Sequence, residues 1–150
     1  MSALGLSCNV ADGRVTVRGV TIDGNDVTEV FLHRSAADED QALQLRSLGD
    51  ALATRLADLG ATAVVVRSAD HHSAARVTEA IGLRLRAEGV LLATARTRVA
   101  AVASLSGREI GDKCGESKAD VEARAKGLLT SAATEATTAA LAATHLRQDD

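Results

Sequence analysis

A chain of 150 residues and 15.4 kDa, with 46% hydrophobic and 25% charged residues, has the make-up of one folded domain spanning residues 1–150, which excludes a fibrous repeat or a disordered chain. With one Phe (Phe31), no Trp, no Tyr and no Pro, it offers no aromatic platform on which bases or sugars could stack. The net charge of -3 makes no whole-protein field toward DNA or an anionic membrane, so any polyanion site has to be local.

Residues 3–35 alternate with a period of two and contain two turn signals, Asp12-Gly13 and Asp23-Gly24-Asn25-Asp26, which predicts an antiparallel meander of three strands. The strands are expected over Ala3 to Asn9, Arg14 to Ile22 and Val27 to His33. From Ser35 the period changes to about 3.6. Ser35 and Asp38 resemble a helix start, Leu45, Leu48, Leu52, Leu56 and Leu59 recur at spacings of three and four, and Gly60 fits the stop. The β-branched run Ala63-Val64-Val65-Val66 predicts a strand buried on both faces and parallel to a neighbour. A second helix is expected from His71 to Glu88, then a strand from Val90 to Thr94 after Gly89. Arg98 to Leu105 reads as a short helix, and Ser106-Gly107 and Gly111 to Gly115 read as loop. Ser117 and Asp120 mark a helix start, Thr130-Ser131 a break, and an Ala- and Thr-rich helix follows to about Leu146. Its small side chains suit either close packing on the sheet or a subunit contact.

No apolar stretch approaches the ~20 residues that cross a bilayer, and the amino terminus lacks the basic flank of a secretory signal, so the expected location is the cytoplasm. Cys8 and Cys114 are too few for a disulfide framework and lack metal-ligand spacing, which predicts two reduced thiols.

The element order, with Ala3-Leu4-Gly5-Leu6-Ser7 as the opening strand, Arg98-Val99 with Gly107, Gly111, Lys113 and Lys118 before a helix ending in Leu128-Leu129, and a last helix closing on Ala142-Ala143-Thr144-His145, resembles RuvC-type Holliday junction resolvases of the ribonuclease H-like superfamily. The resemblance implies an α/β fold with a five-stranded mixed sheet, three antiparallel strands followed by two parallel ones, flanked by helices. It also implies a homodimer and a site where carboxylates hold two magnesium or manganese ions. At the positions it assigns to those carboxylates this chain carries Ser7, Arg67, Thr134 and Thr137. A hydroxyl is a poor ligand for such ions, and a guanidinium repels them. The nearest acids that could restore a relocated cluster are Asp12, Asp70 and Glu135.

Asp70-His71-His72 directly follows the buried strand, where open α/β sheets bind ligands, and could hold a transition metal or move protons. The plainer reading is that Asp70 caps the next helix and both histidines sit in its solvated first turn. Arg67, Arg96, Arg98, Lys113 and Lys118 would form a phosphate-binding patch if the resembling fold gathers them at the site edge. The glycines from 107 to 115 lack the Gly-Lys-Ser/Thr ending of a phosphate loop, and no nucleophile elbow is present. Three functions remain open: a catalytically degenerate RuvC-like protein that binds nucleic acid or acts as a scaffold with no cofactor, a metal-dependent endonuclease using Asp12, Asp70 and Glu135, and a partner-binding protein with no nucleic-acid ligand.

Overall fold

The computed structural model describes residues 2–36, 38–70 and 78–146. Strands β1 (Ser2–Ala11), β2 (Arg14–Asp23) and β3 (Asp26–Arg34) form the expected meander, followed by helix α1 (Gln41–Leu59), strand β4 (Ala61–Arg67), helix α2 (Glu79–Arg96), strand β5 (Ala101–Leu105), helices α3 (Gly107–Cys114) and α4 (Lys118–Leu128), a 3-10 turn at Ser131–Ala133, and helix α5 (Thr134–Leu146). The sheet order is β3-β2-β1-β4-β5, with β1, β4 and β5 mutually parallel and the remaining pairings antiparallel. The β1–β2 hairpin turns through Asp12 (φ 53°) and Gly13 (φ 70°), the left-handed pair that matches strand twist.

The two faces of the sheet are packed differently. On one, Leu4, Leu6, Val15, Val17, Val64 and Val66 meet the leucine stripes of α1 and α2, among them Leu48, Leu52, Leu83 and Leu91. On the other, Ala3, Ala63, Val65, Val20 and Ile22 meet the alanines of α5. Close approach on that side depends on Gly5: a Cβ there would stand 2.1 Å from the Ala140 nitrogen and 2.2 Å from the Ala136 oxygen. The alanines of α5 are thus spent on the sheet.

Four sequence expectations are corrected. The first helix begins after Asp40, whose carboxylate accepts from Leu43 N, not at Ser35. Ser35 is buried and pins the meander instead, its hydroxyl donating to Val15 O at 3.0 Å and accepting from Val15 N at 2.9 Å. Residues 90–94 are helical, because Leu83, Ala87, Leu91 and Ala95 form one continuous buried stripe and Gly89 faces open space. A glycine there lowers helix propensity by about 1 kcal/mol, and the buried stripe outweighs it. The last strand is therefore Ala101–Leu105, within the stretch read as helical. The glycine-rich stretch read as a loop is α3, opened by a reciprocal Ser106–Glu109 capping box and closed by Gly115 in the left-handed region (φ 69°). The first residues of the expected second helix, His71 to Val77, lie outside the described residues; the described helix is capped by the Thr78 hydroxyl, which accepts from Ile81 N.

Candidate nucleic-acid interface

Strand register brings Ser7 of β1 between Arg18 of β2 and Arg67 of β4, since directly paired residues share a sheet face. Two corners of the molecule grow from this row.

The first corner lies at the carboxyl end of β4. Arg67 is buried, with 4% of its side chain exposed. Its guanidinium donates to Asp70 at 2.9 and 3.2 Å and to the Ser68 carbonyl. Asp70 also accepts from Lys118 Nζ at 2.8 Å and from Gly107 N, the start of α3, at 3.2 Å. Gly107 has to be glycine for this packing: a Cβ would meet Arg67 Nη2 and Lys118 Cε, each at 2.7 Å. Asp70 is held well below the usual carboxylate range, chiefly by the Arg67 hydrogen bonds; burial opposes them, and Lys118 and the Gly107 N–H add to them. Asp70 therefore ties β4 to α3 and α4. It does not cap α2, whose cap is Thr78.

The second corner is a cleft of about 430 Å³ between the ends of β1 and β2 and the start of α5, lined by Ser7, Thr16, Arg18, Arg34, Arg84 and Thr134 among others. Arg84 crosses from α2, its Nε donating to the buried Glu88 at 3.1 Å and its Nη2 standing 3.5 Å from Glu135. Arg18 pairs with Glu29 at 2.6 Å. Arg34 has no carboxylate partner among the described residues. A neighbouring hollow shares Asn9, Thr16 and Arg34 with the cleft and adds Arg14 and the acid Asp12.

The five basic residues singled out from sequence are not brought together. Arg67 and Lys118 meet at Asp70, but Arg96 donates to the carbonyls of Val99 and Ala100 at the amino end of β5, whereas Arg67 is level with Leu105 at its other end. Four residues of strand, on the order of 13 Å, separate the two ends. Arg98 is exposed beside Arg96, and Lys113 sits in the last turn of α3. Asp12, at the tip of the β1–β2 hairpin, lines both a recess with Gln41, Gln44 and Arg86 and the hollow beside the second corner, Asp70 is in the first corner, and Glu135 is in the second. These three acids do not converge. His71 and His72 lie outside the described residues. Sequence reading missed Arg14, Arg18, Arg34 and Arg84. The signal for Arg14 and Arg18 was present, since they stand on one alternation of the predicted second strand, but Arg34 lies beyond the predicted third strand and their shared face follows only from register.

The donor set does not suit a pair of hard divalent cations. Ser7 and Thr134 offer hydroxyls, Arg67 a fixed positive charge, and among the described residues no three of His, Cys, Asp and Glu come together.

Compared with known proteins, no family model matches the chain and no curated protein is significantly similar. Solved structures do match. The RuvC structure of Thermus thermophilus superposes with a TM-score of 0.68 at 13% identity, covering 99% of this chain and 96% of that one. The T. thermophilus RuvC in complex with a Holliday junction substrate gives 0.67 at 14% identity, with the same coverage. The chain has the RuvC-type, ribonuclease H-like fold. Agreement over nearly the whole length of both chains includes the meander, the two parallel strands and the helix laid on β1. No described helix is long and apolar enough to cross a membrane.

Proposed function

We propose that this chain binds nucleic acid and does not cleave it by the two-metal route. The observation that carries this reading is the pairing of Ser7 with Arg18 in a RuvC-type sheet, with Thr134 and Arg34 lining the same cleft. Hydroxyls and guanidinium groups are donors to phosphate, and they are not the oxygen anions that a magnesium pair requires. The basic side chains at the open corner, exposed Arg34 with half-buried Arg14 and Arg18, supply the electrostatic contact, in place of the five residues picked from sequence. One structural neighbour was solved with a Holliday junction, which makes a four-way junction the first substrate to try.

The test is fluorescence anisotropy with a labelled junction and a duplex across a salt series, beside a cleavage assay in magnesium and in manganese. Binding should weaken steeply with salt, and Arg34→Ala should lower the salt slope by about one while leaving folding intact. The absence of binding at low salt would refute the reading in favour of a scaffold. Junction cleavage by purified protein that Asp70→Asn abolishes would refute it in favour of a nuclease.

A further inference from the structure

The open cleft holds hydrogen-bonding groups that the fold leaves unspent. Three threonines of α5 turn their hydroxyls back onto the helix: Thr137 to Ala133 O at 2.8 Å, Thr138 to Glu135 O at 2.7 Å and Thr144 to Leu141 O at 2.6 Å. Thr134 does not. It is 9% exposed, lines the cleft, and its buried Oγ1 has no partner. The Arg84 Nη2 is likewise buried without a hydrogen bond, because Glu135 stands off at 3.5 Å and Glu88 is engaged by Nε. Buried polar groups without partners are rare in folded proteins and cost free energy that a ligand can recover. Ser7 opens into the same space, as do Ser131 and Ala132.

We propose that this cleft is a phosphate site that works without a metal ion: the hydroxyls of Ser7 and Thr134 and the guanidinium groups of Arg84 and Arg34 hold the oxygens of one phosphate group. The inference rests on the nucleic-acid reading only for the source of that phosphate. The three arginines face three carboxylates, since Glu29 occupies Arg18 and both Glu88 and Glu135 stand against Arg84; Arg34 is the one without a carboxylate partner among the described residues, so the site takes at most one such group. Glu135, at the mouth, competes with the ligand for Arg84.

The experiment uses the full chain in EDTA, titrated by calorimetry with inorganic phosphate and with a single-stranded oligonucleotide carrying or lacking a 5′-phosphate. Phosphate should bind in EDTA and no more tightly when magnesium is restored. Thr134→Val should weaken binding about tenfold, the loss of one charge-assisted hydrogen bond, without lowering the denaturation midpoint. Glu135→Gln should tighten binding several-fold by removing the competing carboxylate. A preference for the phosphorylated end identifies a terminal monoester as the source, and equal affinity identifies an internal diester; both support the site. Absence of phosphate binding in EDTA, or binding indifferent to both substitutions, overturns it. If junction binding survives Thr134→Val and phosphate does not compete with it, the site fails and the nucleic-acid reading stands. Phosphate bound by a chain that ignores every nucleic acid has the opposite meaning.

Discussion

The corners at the two sides of Ser7 are built from similar residue types and end in opposite states. At the β4 corner Arg67, Asp70 and Lys118 satisfy one another, and Gly107 lets them close without leaving room for a ligand. At the β1–β2 corner, among the described residues, Arg34 has no carboxylate partner, the Thr134 Oγ1 has no hydrogen-bond partner and Arg84 is half spent. The difference is one of geometry more than composition. Asp70 is three residues from Arg67 and is aimed at it by the chain leaving β4, whereas Glu135 reaches Arg84 across a gap between two helices. This fold can therefore hold a buried arginine at the end of β4 where a nearby acid neutralises it.

Both corners exist only because α5 lies directly on β1, so the largest expected effect is at Gly5. Gly5→Ala drives a methyl group into the α5 backbone at about 2 Å, against atoms that cannot rotate away. A loss of more than about 3 kcal/mol in urea denaturation is expected. A Gly5→Ala variant within about 0.5 kcal/mol of the wild type would mean that the helix does not sit where the corners need it.

Next in size is the closed corner. Asp70→Asn leaves the buried Arg67 guanidinium without its anion. Removing one partner of a buried pair costs about 3–5 kcal/mol, but Asp70 is 42% exposed and Lys118 and water reach it, so about 2 kcal/mol is expected at neutral pH. The sign with pH follows from the depressed carboxyl. A group whose folded pKa is lowered stabilises the fold above its unfolded value, 3.8 here, and that contribution fades as pH falls through it toward the folded value. The gap between wild type and Asp70→Asn should thus begin to narrow below about pH 4 and close only well below it. Equal stability at pH 7 would show that the corner is not held by charge.

Much of this fold was legible before the structure. Alternation and the two Gly turns gave the meander, the leucine spacing gave α1, and the β-branched run gave β4. The shift of α2 and β5 was not legible, because Gly89 resembles a helix stop in sequence and only the buried stripe through Leu91 and Ala95 overrules it. That Ser7, Arg67, Thr134 and Thr137 stand at the family's carboxylate positions is an expectation drawn from the resemblance alone. The open cleft was not legible: the order of neighbours across the sheet, with a register shift between Gly19 and Val20, decides that Ser7 adjoins Arg18 and Thr16 adjoins Arg34. Charge counting along the chain gathered Arg96 and Arg98 with Arg67, although the strands carry them to opposite ends.

The smallest expected effect concerns the two thiols, one beside each corner. Cys8 lines the open cleft with only 1% of its surface exposed, and its thiol is pushed up to about 12, mainly by burial and then by the charge of Glu88. Cys114, in the last turn of α3, is half-buried; burial raises its thiol also, opposed by Arg124 and reinforced by Glu116. Because the thiolate is the reacting form, both should react slowly with an alkylating reagent at pH 8, and Cys114 should react first because it is accessible. Cys8 should become reactive only with unfolding, its rate rising with denaturant in step with the global transition. If Cys8 instead reacts in the native state at the rate of Cys114, the floor of the cleft opens on its own, and the unspent groups at Thr134 and Arg84 then meet water in that open state rather than waiting for a ligand.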